Sequence, residues 1–304
     1  MRVFVAGATG AIGRRLVPKL LVAGHEVTAM TRSAQRIDAL RALGAEPVVC
    51  NVFDADRLRS AVVDAHPDAV IHELTDLPPV LDPDPAKFDE QFGGNIRTRI
   101  EGTRNLVDGA IATGARRVVA QSIAFAYSPS GGPVKTEDDP LDEEGPEPHR
   151  RSIEAVRALE AVVSTAPDLD GVVLRYGYFY GPGTFYGHDG SITELVRRGG
   201  MPINREGDDI ASFIHVDDAA EATILALDAA PGIYNITDDE PAPLREWLPV
   251  FADVVGGPPP IPAPGTTDGV FKRGASNAKA KRELGWSLEY PSWREVFPAS
   301  FTGA

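Results

Sequence analysis

Cysteine is nearly absent from this 304-residue sequence. Cys50 stands alone, so no internal disulfide can form and no Cys-x-x-Cys or Cys/His cluster exists to hold zinc. Positive charge is also in deficit. Thirty Lys and Arg face 44 Asp and Glu, and the net charge of −14 repels phosphate backbones and anionic lipid, which argues against nucleic-acid and membrane-surface partners. No apolar run approaches the roughly 20 residues of a membrane span. Met1 leads straight into a strand-like segment without a signal-peptide core, so the expected compartment is the cytoplasm. There is no internal repeat and no GxSxG elbow in a hydrolase context. At 43% hydrophobic and 24% charged residues, the chain has the composition of a soluble globular protein.

What is present alternates between two textures. Short apolar runs at residues 2–6, 26–30, 47–50, 69–72 and 117–120 read as buried strands. Between them, Ile12, Leu16, Leu20 and Val22, then Ile37, Leu40 and Leu43, then Leu58, Val62 and Val63 mark helical faces. Turn residues Gly24, Gly44, Pro67 and Gly114 sit at the joints. This alternation predicts an α/β fold, a doubly wound parallel sheet with right-handed crossovers. Residues 126–149 carry eight Pro and Gly residues with a string of acids and read as an exposed loop. A helix at 152–164, a strand at 171–175, runs at 212–216 and 232–236 flanking a helix at 218–229, and a Pro/Gly-rich linker at 256–269 follow. The expected division is a dinucleotide-binding domain over 1–175 plus 212–236. A smaller substrate lobe is expected from 176–211 and 237–304, with the basic segment 272–282, Trp286 and Trp293 in it.

The first strand runs into Gly7-Ala-Thr-Gly10-Ala-Ile-Gly13, with a helix beginning inside it. Glycine is required where the turn is tight, where backbone approaches a pyrophosphate and where helix packs on strand. The helix N-terminus then offers N–H groups to the phosphates. An acid ending the second strand would hold the ribose hydroxyls of NAD; here stands Arg32, whose guanidinium suits a 2′-phosphate. NADP is the expected cofactor, with NAD left open.

These motifs resemble those of the extended short-chain dehydrogenase/reductase superfamily, in its NAD(P)-dependent epimerase/dehydratase branch. Gly7 to Gly13 have its Gly-x-x-Gly-x-x-Gly spacing, and Asn51-Val-Phe-Asp54 resembles the acidic motif after its third strand. Val70-Ile-His-Glu-Leu-Thr75 resembles VIHLAA, and Leu174-Arg-Tyr-Gly-Tyr-Phe-Tyr-Gly-Pro-Gly183 resembles LRYFNVYGPG. Ser212-Phe-Ile-His-Val-Asp-Asp218, Tyr234-Asn-Ile236 and Ala278-Lys-Ala-Lys-Arg-Glu-Leu-Gly-Trp286 match FIHVDD, YNI and KARRELGW. The resemblance implies cofactor contacts at Gly7, Thr9, Gly10, Ala11, Ile12, Gly13 and Arg32, at Asn51 and Val52, at His72 and Leu74, and at Tyr176. It also implies that the aromatic run Tyr178, Phe179 and Tyr180 walls the substrate pocket, where apolar lining is expected.

The resemblance fails at the catalytic centre. The family's Tyr-x-x-x-Lys falls on His149 and Ile153, its Ser on Ser122 or Ile123 depending on the count, and its helical Asn on Arg99. Isoleucine can neither lower a neighbour's pKa nor hold a ribose. The donors left near these slots are Ser122, Tyr127 and His149; the expectation is Ser122 working with Tyr127 or with His149. Two functions stay open. One is an oxidoreductase or epimerase-like enzyme acting on a small carbonyl or hydroxyl substrate, with a homodimer left open. The other is a cofactor-binding protein without turnover that senses nicotinamide redox state or serves a partner. The missing Tyr and Lys point to the second, the aromatic wall to the first. Elimination assisted by the cofactor is a third option. His72 and Glu73 are further acid–base candidates, and Arg197, Arg198 and Arg205 candidates for an anionic substrate group.

Overall fold

The computed structural model describes residues 1–82, 84–204, 206–263 and 273–301. Seven parallel strands form the main sheet: β1 (Arg2–Ala6), β2 (Glu26–Thr31), β3 (Glu46–Val49), β4 (Ala69–His72), β5 (Arg117–Ile123), β7 (Asp170–Tyr176) and β12 (Gly232–Ile236), in the order β3-β2-β1-β4-β5-β7-β12. The first half is crossed by α1 (Gly13–Val22), α2 (Ile37–Leu43) and α3 (Ala55–Ala65). A long helical rod follows β4: α4 (Phe88–Arg97), a π-helical turn at Thr98–Gly102, and α5 (Thr103–Thr113). The short β6 (Val134–Lys135) and α6 (His149–Ser164) lie between β5 and β7.

Period two decides which face each strand residue serves. Val3 and Val5 join a cluster with Leu16 and Leu20 of α1, while Phe4 and Ala6 join Leu58 of α3 and Leu106 of α5 on the other face. Both faces of the sheet are therefore dry, as a parallel sheet requires. The helices stop where their sequences say: Gly44 and Gly114 cap α2 and α5 in left-handed conformations, and the Asp54 carboxylate caps α3 by accepting from the Arg57 N–H.

One expected strand lies elsewhere. Residues 213–215 form β11 (Phe213–His215), which pairs in parallel with β8 (Tyr178–Tyr180) in a separate two-stranded sheet, whereas 232–236 is the edge strand of the main sheet as expected. The exit is at Gly177, where a Cβ would lie 2.5 Å from the Ser212 carbonyl oxygen. Phe213 is drawn into an aromatic cluster with Tyr180, Tyr186, Trp247, Trp293 and Phe297. That cluster gathers α7 (Ser191–Arg197), β9 (Ile203–Asn204), β10 (Ile210–Ala211), α9 (Leu244–Val254) and α11 (Trp293–Phe301). Helix α8 (Val216–Leu225) packs back on α1, and α10 (Ala278–Leu284) on β12. Residues 264–269 of the Pro/Gly-rich linker, and Lys272, fall outside the described residues. Among the described residues no helix is long and apolar enough to cross a membrane.

Candidate active site

The six residues picked from the glycine loop lie together at the C-terminal edge of the sheet. Gly7 has φ +96°, where a side chain is strained, and a Cβ on it would lie 2.5 Å from the Glu73 carbonyl oxygen. A Cβ on Gly13 would fall 2.2 Å from the Gly7 carbonyl oxygen. Gly10 differs: it is exposed, and the nearest atom to its Cβ position is 3.3 Å away, so glycine there clears space outside the protein. The Gly10 N–H donates to the Gly7 carbonyl at 3.0 Å and Arg14 Nε–H to the Thr9 carbonyl at 3.0 Å, which fixes the turn. Ile12 is buried and Ala11 packs on the same cluster, anchoring the loop. No side chain caps α1 and no acid occupies its first turn, so its N-terminal N–H groups and positive dipole end suit a pyrophosphate.

The ends of β2, β3 and β4 line a neighbouring concavity of about 260 Å³, bounded by Met30, Arg32, Val52, Phe53, Leu74, Thr75 and Thr98. Its apolar walls suit a nucleobase. Arg32 reaches across the rim to Asp76, Nη2 to Oδ1 at 3.0 Å. Asp76 is itself held in place: its N–H donates to Asn95 Oδ1 at 3.2 Å, and a Cβ on Gly94 would strike its carboxylate at 2.3 Å. Of the expected cofactor contacts beyond the glycine loop, Arg32, Val52 and Leu74 line this pocket, and Asn51 does not. Its Oδ1 accepts from the Phe53 N–H at 3.1 Å and closes its own turn.

The expected proton donors are tied up. Ser122 is buried and donates to Glu160 Oε1 at 2.7 Å. Arg175 grips the same carboxylate with Nε and Nη2 at 2.8 and 2.7 Å, and its Nη1 donates to the Tyr127 hydroxyl at 2.8 Å. That hydroxyl donates to Asn235 Oδ1 at 2.6 Å, and burial pushes the phenol up to about 12. Ser122 and Tyr127, the pair expected to act at a substrate oxygen, are thus both held in one buried ion-pair network. Ile153, in the lysine slot, is buried with Ala126 and Val156. His149 opens α6 with its ring edge-on to Phe88 at 5.2 Å, and partial burial lowers its pKa.

His72 and Tyr176, expected as cofactor contacts, are both engaged by partners within the protein. The His72 ring bonds Thr103 Oγ1 through Nε2 at 3.0 Å and accepts from the Leu74 N–H at Nδ1, leaving no ring nitrogen for a ligand. Burial, assisted by the charge of Arg99, lowers its pKa to about 4. Tyr176 is buried, its hydroxyl shared between Glu73 Oε1 at 3.2 Å and Thr223 at 2.7 Å. Glu73 Oε2 has no partner, and burial raises this carboxyl to about 8. Tyr180 is core, packed edge-on against His215 and Phe297, while Phe179 lies against Tyr176. Tyr178 is half-buried and stacked on Phe125 with centroids 4.3 Å apart.

Arg197 and Arg198 both pair with Glu194 rather than standing ready for an anion; Arg205 lies outside the described residues. Among the described residues no three His, Cys, Asp or Glu side chains gather as metal ligands. Sequence reasoning missed Asp76, whose role depends on Gly94 one helix away. It missed the Glu160–Arg175 pair too, and treated Arg99 only as a departure from a family pattern. Arg99 is half-buried in the π-helical turn, and burial lowers its pKa to about 10.

A glycine cradle and an apolar base pocket at the carboxyl edge of a doubly wound sheet define a nicotinamide-dinucleotide enzyme of the short-chain dehydrogenase/reductase type. Residues 3–237 match the NAD-dependent epimerase/dehydratase family, and the chain belongs to that family. It is 44% identical over 308 residues to the 3-diazoavenalumate denitrifying reductase of a Streptomyces species, covering 97% of this chain and 98% of that protein. It is 26% identical to a UDP-glucose 4-epimerase of Mycolicibacterium smegmatis over 94% of this chain and 93% of that one. Among solved structures, the Thermus thermophilus UDP-glucose 4-epimerase in complex with NAD superposes with a TM-score of 0.76, at 25% identity and full coverage of both chains.

Proposed function

We propose that the protein is an NADPH-dependent reductase of acidic aryl diazo compounds, delivering hydride where no acid at oxygen is needed. The observation that carries this reading is the burial of Ser122 and Tyr127 in the Glu160–Arg175–Asn235 network, with Ile153 in the lysine slot. Reducing a ketone creates an alkoxide that an acid within about 3 Å must protonate. An arenediazonium asks for nothing of the kind. Hydride adds to its terminal nitrogen to give an aryldiazene, which loses N₂ as its N–H proton moves to the ring carbon. The sum, arenediazonium plus NADPH giving arene, N₂ and NADP⁺, balances without an external acid. The reductase relative with 44% identity is named for a denitrifying reaction on a diazo compound, which supports the same chemistry here.

The glycine loop and the N-terminus of α1 would hold the pyrophosphate, and Val52, Phe53 and Leu74 the adenine. The bound nicotinamide supplies the hydride. Arg32 would exchange Asp76 for the 2′-phosphate, which supports NADPH over NADH. Residues 1–175 with 216–236 would form the cofactor domain, and 176–215 with 237–304 the substrate lobe, the whole acting in the cytoplasm. Tyr178 and Phe125 would face the aryl ring.

Incubation with NADPH and 3-diazo-4-hydroxybenzoate, following absorbance at 340 nm and evolved gas, should consume one NADPH per N₂ released. Reduction of a ketone panel at comparable rates, with the diazo acid untouched, would refute the proposal. NADPH that binds and is never oxidised by either class would favour the sensor reading instead.

A further inference from the structure

We propose that Arg99 anchors the carboxylate of an acidic aromatic substrate. This assignment of substrate class rests on the reductase reading above, and its own support comes from the helical rod that follows β4.

Phe88, Phe92, Asn95 and Arg99 recur at i, i+4, i+7 and i+11, so they form one stripe along α4 into the π-helical turn. The outer end of that stripe is aromatic: the Phe88 and Phe92 rings are 4.8 Å apart, and Phe88 meets His149 at the start of α6. Its inner end is a cation. Arg99 forms no hydrogen bond or ion pair with any described residue, although it is half-buried. The other guanidiniums withdrawn from water are matched. Arg175 holds Glu160 in a bidentate pair, and Arg117 donates to the Ala226 and Ala229 carbonyls and pairs with Asp170.

Glu160 is the anion whose field reaches Arg99, but its oxygens are already taken by Arg175 and Ser122. His72, the other titratable group coupled to Arg99, is neutral. Arg99 and Arg175 against Glu160 leave one positive charge in surplus beside the helix that has lost the family's lysine. Five N–H donors half removed from water without an acceptor are costly. A carboxylate fits them in bidentate geometry and matches the single surplus charge. The π-helical turn that carries Arg99 is itself a feature enriched at functional sites.

The test is a calorimetric titration of the wild type, Arg99→Met and Arg99→Lys with 4-hydroxycinnamate and with its primary amide, each with and without NADPH. The expected result is that the wild type prefers acid to amide at least tenfold. Arg99→Met should lose that preference while keeping amide affinity and NADPH affinity within twofold, and Arg99→Lys should recover part of it. Thermal unfolding separates a binding role from a structural one: Arg99→Met should match or exceed the wild-type midpoint, because it removes an unmatched cation. Equal binding of acid and amide by the wild type, binding of neither, or an acid preference that survives in Arg99→Met overturns the proposal. If the acid preference holds and depends on Arg99 while NADPH binds no variant, the reductase reading fails and the anion site stands.

Discussion

Glu73 has two carboxyl oxygens in unlike surroundings, one accepting from Tyr176 and the other without a partner in the core beneath the glycine loop. In the unfolded chain the group ionises near 4.5; in the folded protein burial raises this to about 8. Between those values the folded state holds a proton that the unfolded chain has released. The stabilisation from this group is complete below pH 4.5 and is lost as the pH climbs through 8. His72 works the other way: its folded pKa near 4 against 6.5 gives stability above pH 6.5 that is lost as pH falls toward 4. Denaturant titrations of Glu73→Gln should therefore show a stability difference from the wild type that grows by about 1 kcal/mol per pH unit from pH 5 to pH 8. A difference that stays flat across that range would show that Glu73 is ionised in the fold. For Tyr127→Phe, which leaves Asn235 and one Arg175 donor unmatched, the expected cost is about 1–3 kcal/mol of stability with turnover changed less than threefold. A hundredfold loss of turnover at unchanged stability would restore Tyr127 as the acid. Both hydroxyls were visible in the sequence as donors near the right slots. Their captors were not: Glu160 and Arg175 meet only because α6 packs on β7, and spacing along the chain carries no trace of that contact.

At the scale of the element, the alternation of buried strand and amphipathic helix made the first five strands legible, since each serves both faces of one sheet. The run at 212–216 has the same apolar texture, but a strand of three residues beside β8 reads identically to a sheet strand. What distinguishes it is the aromatic cluster that draws in Phe213. The glycine loop was legible because its glycines answer to geometry, yet the three differ. Gly13→Ala should lower the unfolding midpoint and weaken NADPH binding together, because its Cβ would collide with the Gly7 carbonyl at 2.2 Å. Gly10→Val should lose cofactor binding with a smaller drop in midpoint than Gly13→Ala, because its Cβ meets the Gly7 carbonyl at 3.3 Å rather than 2.2 Å and points toward the pyrophosphate's approach. Identical behaviour of the two variants in paired melting and binding assays would contradict this division of labour.

Across the whole molecule, a net charge of −14 surrounds a site that must receive an anionic cofactor, so its few cations govern what enters. Arg32 is matched by Asp76 at the pocket rim, a pairing that the sequence conceals because 44 residues separate the two. A charge-assisted bond to the 2′-phosphate contributes roughly 1.5–3 kcal/mol, about tenfold or more in affinity. On the proposed reading NADPH outbinds NADH, and Arg32→Ala should remove the difference. Asp76→Asn should sharpen it by freeing the guanidinium, and equal affinities in the unmutated protein would remove the basis for both. The most direct test of acid-free hydride delivery is single-turnover transfer from 4-deuterated and unlabelled NADPH to an arenediazonium carboxylate between pH 6 and pH 8. A rate that is constant within about twofold across that range and slowed by the deuterium is the result expected when no enzymatic acid takes part. A rate that falls about tenfold with each pH unit would show that a protonated group on the protein is required, and would contradict the account.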